Sequence, residues 1–184
     1  MQHRIPPQAP ADQGAHRSDN DARLTDELAA VVAGARRRAQ RDGDRHVDSA
    51  HLLHSLLEYD PEVRAVFDDG PQLARLLGYL VQRSIGYGLR WQGAVEDSGA
   101  LPVVAGGREV EGCSPLVAQA MERAWARAVG RDQRAGCVDL LAEIVADPAA
   151  RAVEVLGRAG VDVGGLRAAI EGGRSLRPLG PSGR

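Results

Sequence analysis

The sequence predicts an all-α chain, and three observations carry that expectation. Hydrophobic residues make up 43% of the 184 residues, yet aromatics only 3%, and a palette dominated by Leu, Val and Ala suits close-packed helices better than aromatic-rich sheets. Apolar residues recur at helical spacing in several separate stretches. The same set of stretches then occurs a second time. The length suits one domain with a genuine core and is too short for two of ordinary size.

Thr25 stands ahead of Leu28, Val31, Val32, Ala35 and Ala39, so it reads as the N-cap of a first helix that Gly43 ends. Asp48 or Ser49 can cap a second helix, whose Leu52, Leu53, Leu56 and Leu57 share a face as far as Asp60-Pro61. Pro61 can open a short third helix. After Gly70-Pro71, the stripe Leu73, Leu76, Leu77, Leu80 and Val81 describes an amphipathic fourth helix that fades near Gly86. Residues 86–112 hold seven glycines and no helical period. They read as a linker with a hairpin around Gly106-Gly107 and with Trp91 pinning it to the core.

The pattern then restarts. Ser114-Pro115 is an N-cap followed by Pro at the first helical position, with Leu116, Val117, Ala120, Met121, Ala124 and Ala128 as the stripe. A further helix carries Leu140, Leu141, Ile144 and Val145. Aligning Thr25 with Ser114 sets Ala35 over Ala124 and Ala39 over Ala128. One residue is lost in the next loop, and Leu52-Leu53 then falls on Leu140-Leu141. Asp60-Pro61 with Arg64-Ala65-Val66 falls on Asp147-Pro148 with Arg151-Ala152-Val153. Two copies of a four-helix unit, neither able to bury its faces alone, are expected to pack about a pseudo-two-fold axis. The expected layout is a disordered tail at 1–22 and a folded part at 23–174, made of repeat one (24–85), linker (86–112) and repeat two (113–173). A second disordered tail follows at 175–184.

Thr25, Ala35, Ala39, Ser49, His51, Leu52 and Leu53, echoed by Ser114, Ala124, Ala128, Gly136, Leu140 and Leu141 and followed by Leu156 and Gly160-Val161-Asp162, resemble the repeat pattern of the Clp N-terminal domain family over residues 24 to 172. The resemblance implies two tandem Clp repeats in a compact helical domain of the kind that recruits adaptors and substrates to an AAA+ ring. Without that ring, the chain is expected to be a non-catalytic protein- or peptide-binding module: an adaptor, competitor or decoy acting on a Clp chaperone, its adaptor or its substrates. The alternative is a scaffold or small-ligand-sensing regulator that kept the fold. The family's pocket positions are Thr25, Ala50, His51, Ser114 and Val138. In the ClpC branch, a Glu just before His-Leu-Leu in each repeat, near that repeat's Thr, pairs the guanidinium of phosphoarginine. Here those positions are Ala50 and Val138. A lost charge-assisted hydrogen bond costs about 1.5–3 kcal/mol, so recognition of that mark is expected to be absent. Leu24 and Cys113 stand where the family often has an aromatic.

Composition excludes several chemistries. All 23 basic residues are Arg, so neither a P-loop lysine nor a Schiff-base lysine is present. No nucleophile-base arrangement can be assembled around Ser49, Ser55 or either cysteine, and no catalytic residue or cofactor is expected. A formal net charge of −2 gives no basic field for nucleic acid or an anionic membrane. The arginines at 36, 37, 38, 41 and 45 are followed by Asp42, Asp44 and Asp48 and read as a solvated helix face. No apolar run approaches a membrane span, and a cytoplasmic location is expected. Cys113 and Cys137 stand singly and read as buried or half-buried free thiols. His46, His51 and His54 lie close in sequence, but only tertiary structure can bring a carboxylate to their face, and they read as structural rather than as a metal site. Met121 and Trp125 read as core or rim.

Overall fold

A computed structural model of the chain describes residues 22–67, 71–82, 94–97 and 112–172. Trp91, the hairpin at Gly106-Gly107 and the two expected disordered tails lie outside the described residues, apart from Ala22. Among the described residues the all-α expectation holds. Eight helices form: α1 Asp26–Asp42, α2 Ser49–Tyr59, α3 Pro61–Val66, α4 Pro71–Gln82, α5 Pro115–Val129, α6 Cys137–Ala146, α7 Arg151–Arg158 and α8 Val163–Glu171. None is long and apolar enough to cross a membrane.

Local chemistry sets most of the boundaries. Thr25 Oγ1 accepts from Leu28 N at 3.2 Å and Ser114 Oγ from Val117 N at 3.3 Å, each satisfying an otherwise orphaned first-turn donor. Gly43 closes α1 with φ +77°, its N–H reaching the carbonyls of Ala39 and Gln40. That left-handed conformation is cheap only without a Cβ. Asp60 ends α2 and caps α3, accepting from Glu62 N at 2.7 Å and Val63 N at 3.2 Å. The second Asp-Pro behaves differently. Asp147 Oδ1 accepts from Ala149 N at 2.9 Å in a turn, and α7 starts later, at Arg151, with Ala150 at its N-cap and no cap from that residue's side chain.

One hydrophobic cluster takes residues from all eight helices. The predicted stripes of α1, α2 and α6 are buried throughout, as is that of α5 apart from Met121, which packs against the cluster partly buried. In α4, Leu76 and Leu80 are buried and Leu73 and Leu77 partly so, but Val81 is 49% exposed. It follows Leu80 near the helix end, rotated past the edge of the apolar face. Within each half, α1 packs on α2 and α5 on α6. Across the halves, α2 meets α7, α3 meets α6, α4 meets α7 and α3 meets α8.

The halves are also joined by backbone. Leu24 forms an isolated parallel bridge with Ala135, and Val47 forms one with Cys113. Around the first, Thr25 N donates to Ala135 O at 2.9 Å and Ala135 N to Arg23 O at 3.0 Å. Around the second, Ser114 N donates to Val47 O at 2.9 Å and Val47 N to Gly112 O at 2.8 Å. The residue preceding an N-cap in one half is thereby tied to the chain that leads into a Leu-Leu helix in the other.

Candidate functional site

The Val47–Cys113 bridge brings the N-cap of α5 to the start of α2. α2 begins with a capping box: Asp48 Oδ1 accepts from His51 N at 2.9 Å, and His51 Nδ1 accepts from Asp48 N at 3.2 Å. Asp48 Oδ2 accepts from Arg151 Nη1 at 2.8 Å. The first residue of α7 is thus anchored to the cap of α2.

Into this seam comes Glu96, only 4% exposed. Its Oε2 accepts from Ser49 N at 2.8 Å and from Ser114 Oγ at 3.0 Å. Its Oε1 accepts from Arg151 N at 2.8 Å and from the Ser49 hydroxyl. The Ser49 Oγ in turn accepts from Ala152 N at 2.9 Å. Two donors serve each carboxylate oxygen, and the first-turn N–H groups of Ser49, Arg151 and Ala152 are satisfied within this group. The positive ends of both helix dipoles converge on the anion. Arg151 Nη2 also donates to the Ala94 carbonyl at 2.7 Å. A cleft of about 400 Å³ opens beside this group, lined by the Gly43–His46 turn, Asp48, the segment 94–96, Ser114 and Arg151.

The five pocket positions expected from sequence are not gathered in one place. Ser114 is in the seam, 1% exposed. Thr25 lies instead at the start of α6 through its bond to Ala135. Each hydroxyl caps the helix of its own half, while the backbone beside it is tied to the chain that enters a helix of the other half. His51 is 1% exposed and holds the cap of α2. Ala50 is also 1% exposed, so a Glu there would push a second carboxylate into packed structure next to the residue that binds Glu96. Val138 is partly buried against the core.

The tertiary fold does bring carboxylates to a histidine. Asp44, Asp48 and His51 each place one ligand-type atom within 4.8 Å of the others. Most of those atoms are occupied: both Asp48 oxygens and His51 Nδ1 are engaged as above. His51 Nε2 lies 3.2 Å from Asp44 Oδ2 and 3.7 Å from Asp42 Oδ2. His46 is exposed on the cleft's edge. His54, buried on α2, has its pKa lowered to about 4, chiefly by burial and then by Arg38, with Arg41 adding and Glu58 and Asp42 opposing.

Both thiols are free, Cys113 half-buried and Cys137 buried. Burial pushes both up, and Asp60 raises Cys137 further, so neither is an activated nucleophile. Trp125 is at the rim, with the Arg23 guanidinium 4.3 Å from its ring centre. The junction role of Ser49 and the place of Glu96 were not legible in the sequence. No sequence signal pointed to them: that Ala150, a residue without a capping side chain, precedes α7 emerges only from the structure, which leaves the first-turn donors of α7 to be served from elsewhere.

Fold and site together define an all-α chain with a helix-terminal anion cradle between its halves, filled by one of its own carboxylates. No family model matches the chain, and no curated protein matches it.

Proposed function

We propose that the chain is a non-catalytic protein- or peptide-binding module, built as two tandem four-helix repeats about a pseudo-two-fold axis and acting on a Clp chaperone, its adaptor or its substrates. The repeat reading is supported by the exchanged bridges: with Thr25 set over Ser114 and Val47 over Ala135, the two sets of backbone bonds interchange. The helix contacts interchange in the same way, α2 with α7 against α6 with α3. The observation that carries the binding function is the cleft at the α2–α7 seam, where polar donors converge around a segment of polypeptide.

Affinity purification of the tagged chain from its own cells, with identification of the proteins retained, tests this. Recovery of a Clp chaperone, an adaptor or a common set of substrates is the expected result, and an eluate free of any enriched protein overturns it. The cleft's size also lies within the range of small-molecule pockets, which favours a ligand-sensing regulator as the second reading. A metabolite-dependent rise in Tm without any retained protein would select it. Under either reading no P-loop ATP site is expected, since the chain has no lysine to complete one. Calorimetric titration with ATP and magnesium is expected to show no saturable heat.

A further inference from the structure

Residues 94–97 sit on the domain as a bound peptide would. They have no regular secondary structure, Val95 is 55% exposed and Glu96 4%. The Ala94 carbonyl is held by Arg151 Nη2 at 2.7 Å. One backbone carbonyl is clamped, one side chain faces out and the next enters a polar socket, which is how peptide grooves divide affinity and specificity.

The socket matches a carboxylate. Four donors, Ser49 N, Ser49 Oγ, Ser114 Oγ and Arg151 N, are shared two to each oxygen of a planar group. They come from helices of 11 and 8 residues and from the N-cap of a third. The adjoining cleft is lined by Asp48, Ser114 and Arg151 beside the buried carboxylate, with Asp48 and Ser114 themselves buried.

We infer that residues 94–97 are an internal ligand occupying a carboxylate-binding peptide site, and that a partner peptide presenting an acidic group binds there by displacing Glu96. This rests on the protein-binding reading above and names its ligand class. An internal occupant competes at high effective concentration, and binding in trans is weakened by the fraction of molecules in which the site is filled. Removing the Glu96 carboxylate therefore strengthens trans binding.

The test uses the full chain and a fluorescein-labelled, C-terminally amidated peptide of sequence Gln-Gly-Ala-Val-Glu-Asp-Ser, followed by anisotropy. Glu96→Gln and Glu96→Ala are expected to bind it at least about tenfold more tightly than the parent. Adding Ser49→Ala to Glu96→Gln is expected to remove that gain. A peptide with Gln in place of Glu and Asn in place of Asp is expected not to bind. The same neutral peptide with a free C-terminal carboxylate distinguishes a chain terminus from an acidic side chain as the source of the group. Acetate at tens of millimolar, roughly the range for a single small anion, is expected to shift the Ser49 and Arg151 amide resonances and raise the Tm of Glu96→Ala, with no effect on the parent.

Equal peptide affinity for parent and variants, or acetate shifts absent from both amides, overturns the inference. So does unfolding of both variants without recovery in acetate, which would make Glu96 a structural cap alone. If the parent and Glu96→Gln retain the same cellular proteins in equal amounts, the module reading stands and the internal-ligand inference fails. Peptide gain without any retained protein gives the reverse.

Discussion

Ser49 Oγ joins three elements through one atom, accepting from Ala152 N while donating to Glu96. Ser49→Ala leaves a buried amide and a buried carboxylate each short of a partner, which costs more than an average hydrogen bond: about 2–3 kcal/mol is expected. Urea unfolding measures it, and the loss should be much smaller in a Glu96→Gln background because the two residues share the interaction. His54 governs another response. Its folded pKa of about 4 lies below the ordinary 6.5, so the unfolded chain binds the extra proton first as pH falls. Its contribution is complete above about pH 6.5 and is lost on acidification towards pH 4, on the order of 1–3 kcal/mol. Parent and His54→Gln melting temperatures should differ in slope across that window, with the steeper fall in the parent. A parallel pair of profiles would show that His54 does not titrate as described.

At the level of elements, α2 and α7 are stabilised as a pair. α2 supplies its own cap through Asp48, and Asp48 also holds Arg151, while α7 borrows its cap from Ser49 and Glu96. Asp48→Ala removes an N-cap and leaves a half-buried guanidinium without that partner, so a loss of about 2–4 kcal/mol is expected. Asp48→Asn, which can still accept from His51 N, should retain about half of the stability lost. Equilibrium unfolding of both variants decides whether cap and ion pair are separable. α1 ends by a purely local device: Gly43→Ala is expected to cost about 1 kcal/mol, because φ +77° is retained against a Cβ that meets no neighbour.

Over the whole molecule, the halves share one apolar cluster, with Leu53 and Leu141 both at 0% exposure in its centre. A charge at either position has no partner to reach. Leu53→Asp and Leu141→Asp are each expected to lower stability by more than about 4 kcal/mol and to abolish the near-native circular dichroism of both halves together. A variant in which one half melts while the other persists would mean that the cluster is two cores. The milder Leu53→Ala and Leu141→Ala, expected to cost about 2–5 kcal/mol, keep the measurement within range of a folded protein.

The residues by themselves determined the helices and most of their ends. Thr25, Asp48, Ser114 and Asp60 act on donors two or three positions away, and Gly43 acts through its own dihedral, so the chemistry is complete within a few residues of sequence. The buried faces of α1, α2, α5 and α6 were legible for the same reason, since a period of 3.6 fixes which side chains share a side. Where α7 starts, which helix each cap faces, and the place of Glu96 were decided by tertiary structure alone. Ser49 and Glu96 are 47 residues apart, Glu96 and Arg151 55, and Asp48 and Arg151 103. No periodicity spans such intervals. A lone Glu in a glycine-rich stretch has no local partner to betray it, and only when packing brings two helix N-termini together do their unpaired amides create the field that draws its carboxylate in.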